Sequence, residues 1–143
     1  MHDINEAVAS LDLSYVREYL VLAGVREQDA DHRIEAYRRH LTLVVENPGL
    51  PVVPTEEVDS VAHAHLAHTR RFREDAALLT GGNVIDHDPT WREGQPRFER
   101  AWNDTRALMR SRFGIDLPEL GAGPAGNRAA GCVIAAGCVI VAA

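Results

Sequence analysis

Three histidines fall within six residues of this chain, in the run VDSVAHAHLAHT, and a fourth follows in IDHDP. The run holds Asp59, His63, His65 and His68, and the later motif holds His87. Imidazole and carboxylate are the side chains that ligate zinc or ferrous iron, and imidazole moves protons near neutral pH. Asp59 and His63 stand four residues apart. On a helix the carboxylate then accepts from the imidazole, which orients a ligand or a base. The candidate metal ligands are therefore Asp59, His63, His65 and His87, with Zn or Fe as the ion. Two thiols, Cys132 and Cys138, stand near the C-terminal end and do not form a CxxC pair. No GxSxG elbow is present, and Gly81-Gly82 lacks the lysine of a phosphate-cradling loop.

Helical geometry divides the cluster. At about 100° per residue, Val58, Val61, Ala62, Phe72, Ala76 and Leu79 make one apolar stripe. His65 falls within about 20° of the stripe's centre, so it is expected to be buried and neutral with a hydrogen-bond partner. His63 lies about 140° away, on the flank that carries Asp59, and His68 lies on the other flank. Seventeen residues of unbroken helix from His63 to Thr80 would span roughly 25 Å. The seven residues from Thr80 to His87 reach at most about 25 Å. That is barely enough for His87 to meet His63, so a shared site is strained unless the helix bends between His68 and Phe72 or the turn folds back tightly.

The elements that must position these residues read as helices. A first helix is expected over 13–22, with Asp12 as N-cap and Gly24 as stop, after a weaker turn in 2–10. A second follows Asp29 or Asp31, with Ile34, Tyr37, Leu41, Val44 and Val45 on one face, and ends at Asn47-Pro48-Gly49. Pro51 and Pro54 make 50–54 an extended connector. The third helix starts at Thr55 and stops at Gly81-Gly82. The fourth begins near Pro96, carries Phe98, Trp102 and Met109, and closes at Gly114. The expected fold is mainly α, a small array of about four helices with an extended apolar C-terminal tail. Residues 1–120 form the helical domain. Residues 121–143 form a Gly/Ala linker, GAGPAGNR, and a tail in which AAGCVI occurs twice. If extended, the repeat places Cys132 and Cys138 on one face.

Composition narrows the class. The chain has 143 residues, 45% hydrophobic and 25% charged, as an ordinary globular domain does. Its net charge of −6 argues against nucleic acid, whose phosphates call for Lys and Arg. Arg70, Arg71 and Arg73 are followed at once by Glu74 and Asp75, which reads as a solvated face. No run approaches the ~20 apolar residues of a membrane span, and the acidic first residues carry no secretory signal, so a cytoplasmic protein is expected.

The run from Tyr37 to Pro89 resembles the glycine-rich domain-containing protein-like family, known from plants and bacteria. The resemblance covers roughly residues 30–118. It rests on His40-Leu41-Thr42-Leu43, Asn47-Pro48-Gly49, Pro54, the run from Val58 to Thr69, Phe72, Asp75, the Gly81-Gly82 turn, His87 and Pro89, with Thr105 and Phe113-Gly114 in the closing helix. Ala62 stands where that family usually has Trp, His68 where it has Asp, and Ala76 about where Cys is common. The resemblance implies a helical domain and carries Asp59, His63, His65 and His87 as signature positions. It implies no reaction.

Three functions follow as expectations. The first is a binding or regulatory module with an Asp/His metal site, meeting a protein partner or a second copy through its tail. The second is a metal-dependent enzyme in which Asp59 orients His63, with His65 or His87 as co-ligand. The third is a precursor whose Cys-bearing tail is a modified peptide.

Overall fold

The computed structural model describes residues 3–123, 129 and 139–142. Among them the fold is mainly helical, with six helices and one two-stranded antiparallel sheet. The helices are α1 (Ile4–Ser10), α2 (Ser14–Leu22), α3 (Glu27–Glu46), α4 (Glu56–Ala67), α5 (Thr69–Thr80) and α6 (Pro96–Phe113). The strands are β1 (Ile85–Asp88) and β2 (Val139–Ala142). Cys132 and Cys138 lie outside the described residues.

Two causes raise the helix number from four to six. The weak turn near the N-terminus closes into α1, because the Asp3 carboxylate accepts from the Asn5 backbone N–H at 2.9 Å and caps it. The long third helix breaks at His68, whose backbone angles (φ −89°, ψ 68°) are not helical. Neither Pro nor Gly stands there. Instead the His68 N–H turns to the His65 carbonyl (3.0 Å), and its ring Nδ1 donates to the Ala64 carbonyl at 2.9 Å. A side chain has taken a place in the i→i−4 ladder, which kinks a helix as a proline would.

Other boundaries follow local chemistry. Thr55 caps α4 by accepting from Val58 N–H at 3.2 Å. Gly81 and Gly114 close α5 and α6 in the left-handed region (φ 70° and 69°), which favours glycine. Asp12 is not the N-cap expected for the helix over 13–22: α2 starts at Ser14 after Leu13, and Asp12 accepts from Ser14 N–H at 3.0 Å in the turn ahead of it. The second expected helix begins earlier than Asp29 or Asp31, at Glu27, with Glu27 and Asp29 both in its first turn where they favour the dipole.

The core gathers Leu13 just ahead of α2, Val16 and Leu20 from α2, Ile34, Tyr37, Leu41 and Val44 from α3, and Val58, Val61 and Ala62 from α4. A smaller cluster joins Val53 to Phe98, Ala101 and Trp102 of α6. Its polar groups are met: Val53 N–H donates to Thr105 Oγ1 at 2.9 Å, and Trp102 Nε1–H to the Pro118 carbonyl at 3.0 Å.

The end of the chain belongs to this packing. In register, Ile85 pairs with Ala142 and His87 with Ile140. On its other side Ile140 exchanges backbone hydrogen bonds with Val52 (3.0 and 3.1 Å), and Gly49 N–H donates to the Ala142 carbonyl at 2.8 Å. β2 therefore lies between β1 and the connector before α4, and the Ile140 and Ala142 side chains are buried. The extended expectation for the tail holds over these four residues. Among the described residues no helix is long and apolar enough to cross a membrane.

Candidate metal centre

α4 places Asp59 and His63 on one face, one turn apart. His63 Nε2 stands 3.3 Å from Asp59 Oδ2. β1 supplies the third group. Its alternation turns Ile85 and His87 to the same side, with Asp86 outward. His87 Nε2 then stands 3.3 Å from Asp59 Oδ1. The two carboxylate oxygens thus each face one imidazole, and the two rings meet at 4.8 Å between centroids. The break at His68 folds α5 back on α4, where Asp75 reaches His65, and the chain that follows α5 brings His87 of β1 to Asp59.

One ligand atom from each of Asp59, His63 and His87 lies within 4.8 Å of the others. Atoms held ~2.0–2.1 Å from a tetrahedral ion stand about 3.4 Å apart; each imidazole is that far from one carboxylate oxygen, His63 from Oδ2 and His87 from Oδ1. The site also has an inside and an outside. The His87 side chain is 7% exposed and Asp59 is 11% exposed, while His63 is half exposed.

His87 Nε2 is at ion-pair distance from Asp59 but is not aligned for a hydrogen bond, and this buried nitrogen has no hydrogen-bond partner. His40, on α3, shares that condition: it is 1% exposed and its Nε2 has no partner. An unmet buried donor or acceptor costs about 1–3 kcal/mol. Burial pushes the His40 imidazole down to about 3, and nearby His87 pushes the same way while Asp59 opposes it. His40 is therefore a neutral neighbour of the same site. In the sequence it appeared only as one position of a family resemblance. The available signal was an imidazole three residues after Tyr37, inside the stripe that buries Tyr37, Leu41 and Val44.

His65 goes elsewhere. Its Nε2 lies 2.8 Å from Asp75 Oδ2 and its Nδ1 lies 2.7 Å from the Tyr37 hydroxyl. A carboxylate only accepts, so Nε2 carries the proton and Nδ1 accepts from Tyr37. Tyr15 donates to the same Asp75 oxygen at 3.2 Å. Burial lowers the His65 pKa, against the pull of Asp75. Burial likewise raises both tyrosines, with the Asp75 charge in the same direction. Phe72 and Tyr37 meet the His65 ring edge-on, at 4.9 and 5.6 Å between centroids. The structure thus brings Asp59, His63 and His87 together and holds His65 in a separate network of its own. The partners of that network carried little sequence signal: Asp75 was one position of the family resemblance, ten residues after His65, and Tyr37 one residue of a buried stripe.

Comparisons of the chain with protein-family models, with curated proteins and with solved structures return no match.

Proposed function

We propose that this chain is a helical binding module that holds one divalent cation, Zn²⁺ or Fe²⁺, through Asp59, His63 and His87. The observation that carries the reading is the convergence of those three ligand atoms within 4.8 Å, from a helix and a strand that a kink folds together. Two imidazoles and a carboxylate suit both ions. The site joins α4 to β1, and β1 is paired to β2, so the bound ion ties distant parts of the chain and its binding energy becomes folding energy. The resemblance to the glycine-rich domain-containing protein-like family supports the same residues, since it carries all three as signature positions. The uncharged repeats that run into β2 suit a protein partner or a second copy in a cytoplasmic setting. The pairing of Val139–Ala142 supports a tail that serves the domain rather than one released as cargo.

A metal-dependent enzyme is the second reading. The half-exposed His63 favours it, because an open edge admits water or substrate.

The test is elemental analysis of untagged protein, followed by titration of the chelator-stripped chain with Zn²⁺ alone and by melting with and without the ion. One equivalent bound and a higher melting temperature are expected. Substoichiometric zinc and iron, with melting unchanged by chelation, overturn the proposal.

A further inference from the structure

His40 lies on the buried face of α3, beside Tyr37, Leu41 and Val44. Among the described residues, two buried side-chain nitrogens or oxygens have no hydrogen-bond partner, His40 Nε2 and His87 Nε2. They lie on packed elements, α3 and the α4–β1 site, and the charges of His87 and Asp59 reach His40, although His40 is not among the ligand atoms that already converge within 4.8 Å. His87 already stands among the three converging ligand atoms. Two unmet imidazoles beside one buried carboxylate are a costly arrangement for a chain alone. A single cation relieves it, because a neutral imidazole nitrogen offers the lone pair that a metal takes.

We infer that His40 is a fourth protein ligand, which approaches from the buried side and closes the coordination sphere as His₃Asp. This rests on the cation reading above and deepens it. Four protein ligands leave no open position, which is the mark of a structural zinc site rather than a catalytic one. The four residues come from α3, α4 and β1, so the ion would join the central helix to the strand that β2 also holds. In the bound form His40 would come from α3, Asp59 and His63 from α4, and His87 from β1. The half-exposed His63 ring forms the outer wall.

The experiment compares the full chain with His40→Leu, both stripped with chelator. Each is titrated with Zn²⁺ alone, and each is loaded with Co²⁺ and examined by visible absorption before and after adding azide. The expected result has three parts. The variant binds Zn²⁺ at least about tenfold more weakly. Its metal-free form melts no lower than the wild type, because an apolar side chain replaces an unmet buried imidazole. Azide leaves the wild-type Co²⁺ spectrum unchanged and shifts that of the variant. Zinc affinity within about threefold of wild type, or an azide shift in the wild type, overturns the inference while leaving a three-ligand site standing. No zinc uptake by the wild type overturns both readings. If His40→Leu does not fold, His40→Gln takes its place in the titration, and the azide measurement on the wild type decides by itself.

Discussion

His65 on α4 and His87, which faces α4 from β1, are both buried imidazoles, yet their surroundings differ in kind. His65 has a donor on one nitrogen and an acceptor on the other, both from this chain. His87 has the carboxylate of Asp59 at 3.3 Å, misaligned for a hydrogen bond, and His40 nearby is unmet as well. Tyr37, His65, Asp75 and Tyr15 complete one another, as a polar network in a core must. Asp59, His63, His87 and His40 share one carboxylate among three rings. Imidazole alone does not announce a ligand site; the shortage of protein partners around it does.

That difference is broken most severely at Asp59. Asp59→Asn keeps the shape and removes the charge that both rings face. We expect Zn²⁺ affinity to fall at least about 1,000-fold, or ~4 kcal/mol, read by calorimetric titration. Unfolding of the metal-free chain in urea should change far less. Equal Zn²⁺ affinity in the two proteins would remove Asp59 from the site.

His65→Leu tests the other half. It strands the Tyr37 hydroxyl in the core and leaves Asp75 with Tyr15 alone. The expected cost is about 2–3 kcal/mol in urea unfolding, with Zn²⁺ stoichiometry unchanged. A variant that keeps its stability but loses zinc would reverse the roles assigned to the two clusters.

The division between these clusters was partly legible in the sequence. The wheel places His65 in the stripe of Val58 and Ala76 and sets His63 with Asp59 on the flank, and both positions hold in the structure. The reach of the chain left His87 at its limit unless the helix bent or the turn folded back tightly, and the structure takes the bend: α4 ends at Ala67 and α5 begins at Thr69. The cause of the bend was not legible. Kinks are read from Pro and Gly, and here an imidazole takes a backbone carbonyl of its own helix. His40 was obscured for a related reason. Helical periodicity identifies a buried face but not whether a polar group within that face finds a partner. The place of β2 between β1 and the connector was also out of reach, since pairing distant in sequence leaves no local pattern.

Acid separates the clusters less sharply but acts on both. Burial lowers the pKa of His40, to about 3, and that of His65. As pH falls below the unfolded value of about 6.5, the unfolded chain takes up protons that the folded chain refuses. Stability is therefore full above that value and is lost as pH falls toward the folded values. Each group contributes a slope of up to about 1.4 kcal/mol per pH unit in that window. The metal-free chain should show this slope in urea midpoints taken between pH 7 and pH 4.5. His40→Leu should flatten it, and a pH-independent midpoint would mean that neither ring is held neutral.

The two tyrosines of the His65 network give the finest comparison. Tyr37 is 1% exposed, and its hydroxyl is the partner of His65 Nδ1. Tyr37→Phe leaves that nitrogen unmet in the core, at a cost of about 1–2 kcal/mol. Tyr15 is half-buried and reaches Asp75 at the longer distance of 3.2 Å. Its ring lies 4.4 Å under the Arg71 guanidinium, a contact that a phenyl ring keeps. Tyr15→Phe also leaves the Asp75–His65 bond in place, and the partly exposed carboxylate can take water instead. The expected cost is about 0.5 kcal/mol, and the ratio of the two urea measurements is the informative quantity. If Tyr15→Phe costs as much as Tyr37→Phe, Asp75 depends on Tyr15 to hold His65. The network would then extend to the surface of α2, and its contrast with the cation site would be one of degree rather than kind.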